Sequence, residues 1–359
     1  MKIVSLSLLI LLLSICLQSS YAQTIIDFKN PLIHYMGRVA MRDTAAELTW
    51  TASSAVINFN GTGVKATLKD KTGYDFVTVV VDDKVDTVIQ LSTDKKEYTL
   101  AKGLPAGLHK LELFKRTEFD MGKFWLYNFI LEDKGKLLSP PVYKHSIEFY
   151  GNSITCGYAI EDTTGKDRGT YEFVNAYKSY ANLTARYFNA DYRSISKSGI
   201  GITVSWFPYV MPDIYDLTDA NDRASKWDFR KFTPEIVVVN LFQNDSWIVK
   251  MPHNEQFKAK FGTTPPKPEY IIKAYQSFIK SIRSKYPKAK IVCALGSMDA
   301  TKKGSEWPGY IQKAVAGLKD KSVYTHFFAY KNTPGHPSAK EQKVIADDFI
   351  AFIKQKFHW

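Results

Sequence analysis

The chain has 359 residues, 45% of them hydrophobic, with 48 Lys and Arg against 36 Asp and Glu and a formal net charge of +12. The lysines are scattered and no Lys/Arg block or nucleic-acid motif stands out, so the surplus describes a solvated surface and argues against nucleic acid as a partner. None of the three cysteines has partners at metal-ligand spacing, and no phosphate-binding glycine fingerprint is visible, so neither a metal nor a nucleotide cofactor is expected.

The first 22 residues carry a basic start at Lys2, an apolar run from Ile3 to Leu17 and a small-x-small site at Ser20-Tyr21-Ala22. This is the pattern of a signal peptide, with the mature chain beginning at Gln23. Ile15 before Cys16 argues against a lipid anchor, and the apolar run is shorter than the ~20 residues of a spanning helix. A periplasmic or secreted protein, free of the membrane after cleavage, is expected. It retains two cysteines, Cys156 and Cys293, in or beside apolar segments. One disulfide and two buried thiols both remain open.

The remaining length exceeds a single core and suggests two domains. Residues 23–138 keep a two-residue rhythm. Ala46–Trp50, Ala55–Phe59 and Val64–Leu68 alternate, and Phe76–Val81 is β-branched and aromatic. His109–Phe114 and Phe124–Phe129 continue the series, with turns at Asp82-Asp83, Gly103–Gly107 and Asp133-Lys134-Gly135. Short strands with regular turn signals predict a β-sandwich. A short link, Leu137–Tyr143, contains Pro140-Pro141 and predicts a rigid junction.

Residues 144–359 alternate strand and helix. Strands are expected at Ile147–Tyr150, Tyr192–Ser196, Glu235–Leu241 and Lys290–Leu295. Helices are expected around Tyr177–Leu183 and over Tyr270–Lys285, Tyr310–Leu318 and Ala339–Ile353. Such alternation predicts a parallel sheet with helices on both faces and a site beyond the carboxyl ends of its strands.

Four segments fall at those ends. Gly151-Asn152-Ser153 follows the first strand, Ser198-Gly199 the second and Gln243-Asn244-Asp245 the third, and Gly335-His336 precedes the last helix. In the order Ser, Gly, Asn, His they resemble the SGNH (GDSL-like) hydrolases, with Asn152 where that family usually has Asp. In the first half, Tyr35-Met36-Gly37-Arg38, Phe59–Val64, Gly107–Leu111 and Lys115-Arg116-Thr117-Glu118 resemble the N-terminal jelly-roll domain of carbohydrate esterase family 2. That family joins such a domain to an SGNH domain in this order. The resemblance implies an α/β SGNH-type parallel sheet preceded by an all-β jelly-roll sandwich. It also implies Ser153 as nucleophile, His336 as base, and an oxyanion hole from the Ser153 N–H, the Gly199 N–H and the Asn244 side chain. These roles suit acyl transfer.

Many SGNH hydrolases carry an Asp three residues before the histidine; here Thr333 stands there and Pro334 follows. The resemblance to family 2 makes a Ser–His dyad, with a backbone carbonyl orienting the imidazole, the expected arrangement. Asp299, Glu306 and Asp245 are the alternative acids; Asp245, next to Asn244, equally suits a carboxylate that supports a site residue from behind or one that hydrogen-bonds its own loop. Trp206, Trp247 and Trp307 are candidates for stacking on sugar, each with core burial as the competing reading. Tyr158 and Asn175 receive no role. The expected activity is removal of O-acetyl groups from a polysaccharide or oligosaccharide. An esterase or lipase on non-carbohydrate esters and a non-catalytic carbohydrate-binding protein are the alternatives.

Overall fold

A computed structural model describes residues 23–359; the expected leader, residues 1–22, lies outside the described residues. The N-terminal half is two antiparallel sheets face to face. One runs in the order Ala40–Met41, Ala46–Leu48, Phe124–Leu131, Val64–Asp70, Lys96–Ala101, with Thr24–Asp27 also paired to Phe124–Leu131. The other runs Lys136–Leu137, Ser54–Asn60, Leu108–Lys115, Phe76–Val81, Lys84–Gln90, with His34–Met36 on Ser54–Asn60. Alternation places every second residue of Val64–Asp70 inside. Val64, Ala66 and Leu68 meet Ala55, Ile57 and Phe59 of the opposite sheet in one core. At the Asp82-Asp83 turn both residues have positive φ, the backbone that matches the twist of a tight hairpin.

Besides the short Thr24–Asp27, His34–Met36, Ala40–Met41 and Lys136–Leu137, two longer strands of this half, Lys84–Gln90 and Lys96–Ala101, were not among those expected. Both lie at sheet edges and are largely exposed, and their polar residues carry little of the hydrophobic alternation of an inner strand.

The second half is a five-stranded parallel sheet, in the order Ala190–Ser196, His145–Gly151, Ile236–Asn240, Lys290–Leu295, Val323–Phe327. Successive side chains point to opposite faces. Ile147, Phe149, Val238 and Val292 pack under the helices Tyr180–Tyr187 and Ala339–Phe357. Tyr150, Val239, Ile291 and Cys293 pack under Pro268–Lys285 and Trp307–Leu318. Both faces are covered, as expected for this α/β class. The strand order reverses at His145–Gly151, so the loops after it and after its two neighbours flank one crevice. Val323–Phe327 was not expected either; it is an edge strand whose last four residues are only half-buried.

The two halves share their cores. Trp50 and Phe119 of the sandwich sit in the cluster beneath the second helix pair, and Met36, Val56 and Phe114 in the cluster beneath the first. Arg38 of the sandwich is fully buried. Its guanidinium meets Glu148 Oε1 and the Tyr150 hydroxyl, both at 2.9 Å, and donates to the Tyr215 and Leu217 carbonyls. No helix among the described residues is long and apolar enough to cross a membrane.

Candidate active site

Strand His145–Gly151 ends in a one-turn helix, Ser153–Cys156, capped by Asn152. The Asn152 side-chain oxygen accepts from the Ile154 N–H at 3.1 Å. An amide oxygen caps a helix as a carboxylate does, so Asn serves at the place where the resembled family has Asp. Gly151 is required here by close approach: a Cβ on it would stand 2.1 Å from Thr155 Oγ1. This packing, not a left-handed backbone, is what the sharp turn demands of it. Ser153 is 4% exposed.

His336 reaches Ser153 from the loop before the last helix. Its Nε2 lies 2.9 Å from Ser153 Oγ. Its Nδ1 faces a carboxylate, that of Asp167, with Oδ2 at 2.8 Å and Oδ1 at 3.0 Å. Asp167 Oδ1 also accepts the His336 backbone N–H at 2.8 Å. The expected Ser–His dyad with a carbonyl partner is therefore corrected: the imidazole is oriented by an acid from the loop after the nucleophile. Gly335, at φ +67°, allows the approach, since a Cβ on it would lie 3.0 Å from Asp167 Cγ. Burial pushes the Asp167 carboxyl up, but the hydrogen bonds and charge of His336 outweigh it and hold the group below its usual range.

The three acids named as alternatives are engaged elsewhere. Asp299 accepts from the Trp247 indole N–H and the Gln243 amide. Glu306 accepts from the Tyr310 hydroxyl. Asp245 is fully buried and gathers the N–H groups of Ile202, Thr203 and Val204, with the Thr203 hydroxyl, at 2.6 to 3.3 Å. Asp245 thus shapes the loop that follows Gly199. Thr333, at the position where the acid was sought, is bonded to Glu341 and Lys331.

The oxyanion candidates converge on the same crevice. Asn244 lies in the helix Gln243–Ile248, entered through Phe242 at φ +86°, an unusual backbone for a bulky residue. One Asn244 amide hydrogen goes to the Ile200 carbonyl at 2.8 Å, and its oxygen accepts the Trp206 indole N–H at 3.1 Å. That pair fixes which way the amide faces and leaves one N–H to spare. Among the described residues, no protein acceptor is bonded to the N–H of Ser153 or Gly199. Ser153, Tyr158, Lys197, Ser198, Gly199, Trp206, Phe207, Asn244, Trp247 and His336 line one cavity of about 280 Å³.

Comparison with known proteins gives the family of the chain. Residues 35–141 match the family model described as carbohydrate esterase 2 N-terminal. A solved family two carbohydrate esterase from Clostridium thermocellum, in complex with cellohexaose, superposes with a TM-score of 0.81 at 31% identity, over 91% of this chain and 99% of that one. The chain belongs to carbohydrate esterase family 2. It is 29% identical to the cellulase/esterase CelE of Acetivibrio thermocellus over 93% of its own length and 40% of the relative's. It is 25% identical to an acetylxylan esterase / glucomannan deacetylase of Cellvibrio japonicus, over 92% of this chain and 90% of that protein.

In this family-2 esterase the three tryptophans part company. Trp206 is 43% exposed at the cavity and holds Asn244, and Trp247 lines the cavity beside it. Trp307 is 4% exposed and packs on Phe242 and Tyr310; its open edge faces a separate cavity shared with Asp299 and Lys302. The core reading holds for Trp307. Cys156 and Cys293 are both unpaired and buried, and burial pushes the Cys293 thiol up to about 12. Residues that carried no sequence signal complete the site. Tyr158 lies with its ring centre 4.4 Å from that of His336. Asp167 sits in Asp162–Thr170, a polar stretch indistinguishable in sequence from an ordinary turn.

Proposed function

We propose that this family-2 esterase removes O-acetyl groups from a polysaccharide or oligosaccharide through Ser153, His336 and Asp167. The observation that carries the reading is the continuous chain from Ser153 Oγ through His336 Nε2 and Nδ1 to Asp167, with contacts of 2.9 and 2.8 Å. Ser153 Oγ attacks the acetyl carbonyl while its proton passes to Nε2. Nδ1–H donates to Asp167, which fixes the tautomer and stabilises the imidazolium. The carbonyl oxygen becomes an oxyanion, met by the N–H groups of Ser153 and Gly199 and by the Asn244 amide. Nε2 then returns the proton to the departing sugar oxygen, leaving an acetyl-serine. Water, deprotonated by the same nitrogen, attacks the acetyl-serine carbonyl; the bond to Ser153 Oγ breaks, Nε2 returns the proton to that oxygen, and acetate leaves.

A cavity of about 280 Å³ beside Ser153 has room for the acetyl group with the sugar at the rim. The exposed face of Trp206 supports a stacking role there, with Trp247 beside it. Export belongs to the same reading, since a polymeric substrate stays outside the cell. The names of the Cellvibrio japonicus relative suggest acetylated xylan and glucomannan as first substrates. Measured kcat/KM on an acetylated oligosaccharide should exceed that on an aryl octanoate by at least tenfold. A preference for the octanoate would overturn the carbohydrate assignment in favour of a lipid or aryl esterase.

A further inference from the structure

Two loops of the cavity are fastened by almost adjacent residues of the other domain. Arg116 and Glu118 follow strand Leu108–Lys115 of the sandwich and are both buried. Arg116 Nε donates to the Val174 carbonyl at 3.0 Å and Nη2 to that of Glu172 at 2.7 Å, while its own carbonyl accepts from the Ala176 N–H. These bonds close the loop that carries Asp167. Tyr171 of that loop also stacks on Tyr74 of the sandwich, ring centres 4.6 Å apart. Glu118 Oε2 accepts the Ser198 N–H at 2.7 Å, and Oε1 accepts the Ser198 hydroxyl. Ser198 immediately precedes Gly199. Lys197, on the other side, pairs with Asp120 at 2.7 Å and with Glu118 at 3.7 Å. Lys115, buried against Asp75, donates to the carbonyls of Thr117 and Glu118 and so holds the segment itself in shape.

We propose that Arg116 and Glu118 are positioning residues for the esterase reaction: the sandwich sets the acid loop through Arg116 and the oxyanion loop through Glu118. This rests on the reading of Asp167 and Gly199 given above. The sandwich would then be part of the catalytic apparatus. A carboxylate accepting two hydrogen bonds from Ser198 fixes the turn that aims the Gly199 N–H, and an oxyanion donor works only when its direction is set beforehand. Guanidinium bonds to two carbonyls likewise fix the exit of the loop that brings Asp167 to Nδ1.

The test is a set of double-mutant cycles on the full chain, read as kcat and KM with acetylated oligosaccharide and normalised by active-site titration. Arg116→Ala and Glu118→Ala should each lower kcat by about 10- to 100-fold with KM within about threefold. Glu118→Gln, which keeps the shape and one acceptor, should recover much of the loss. Arg116→Ala should add little to Asp167→Asn, whereas Glu118→Ala should retain its own effect in that background. Should the alanine variants fail to fold, Glu118→Met and Arg116→Met, which keep the buried volume but not the hydrogen bonds, carry the same cycles. Wild-type kcat in the folded alanine or methionine variants, or losses that vanish after titration, would overturn the proposal. An inactive wild type would instead reject the esterase reading.

Discussion

Asp167 Oδ2 lies 2.8 Å from His336 Nδ1, although the two residues are 169 apart in the chain. The acid has moved from just before the histidine to the loop after the nucleophile, yet it still orients the imidazole. It does so twice over, through the ring nitrogen and through the backbone N–H of the same residue. Asp167→Asn should lower kcat by about 10²- to 10⁴-fold with little change in KM, because the amide favours the wrong tautomer. Asp299→Asn and Glu306→Gln should each keep most of the activity. Steady-state kinetics on the three variants decides between Asp167 and the others.

Asp167 is held below the usual carboxylate range, so it stays ionised through the weakly acidic region. Its contact with His336 stabilises the fold above the unfolded carboxylate value and is lost only as pH falls through the lower, folded one. Asp167 should therefore take up no proton over that region, so replacing it with Asn should lower kcat/KM there without removing an ionisation from the pH profile. Loss of a weakly acidic ionisation in Asp167→Asn, measured as a pH profile beside wild type, would mean that Asp167 itself titrates there.

Asn244→Ala should reduce kcat by roughly 10²–10³-fold with a smaller change in KM, as expected for a donor acting in the transition state. Trp206→Phe keeps the aromatic face but loses the N–H that holds the Asn244 oxygen. A fall in kcat of about threefold to tenfold is expected from one hydrogen bond. An unchanged kcat in Trp206→Phe, measured beside a large loss in Asn244→Ala, would show that Asn244 needs no such support.

Arg38 links the domains through a buried charge pair with Glu148. Arg38→Ala leaves that carboxylate buried without its cation, which typically costs about 3–5 kcal/mol. Urea unfolding should show the loss as an earlier midpoint. A change below about 1 kcal/mol would mean that the interface does not depend on this pair.

The sheet was legible in the sequence because its inner strands are buried on both faces. Lys290–Leu295 is found as expected, and Ile236–Asn240 lies within the expected Glu235–Leu241. Strands that escaped, such as Lys84–Gln90 and Val323–Phe327, lie at edges where one side meets water. Ser153 was legible because it follows a strongly patterned strand, and His336 through the Ser, Gly, Asn, His order that resembles the SGNH hydrolases and its place before the last helix; the two side chains lie 2.9 Å apart. Asp167 was not, because its position depends on a loop folded by long-range contacts: Arg116 from another domain, and Gly169 packed where any Cβ would strike the Tyr158 ring. The same holds for Trp307, whose burial comes from Phe242 and Tyr310.

The central claim is that Ser153 attacks the acetyl carbonyl. The most direct measurement is acetate release from acetylated xylan by wild type and Ser153→Ala, paired with mass mapping after treatment with a serine-directed phosphonate. The wild type should release acetate and carry the label on the peptide containing Ser153, while Ser153→Ala folds normally, stays unlabelled and loses nearly all activity. Undiminished acetate release from folded Ser153→Ala, or a label on another residue, would contradict it.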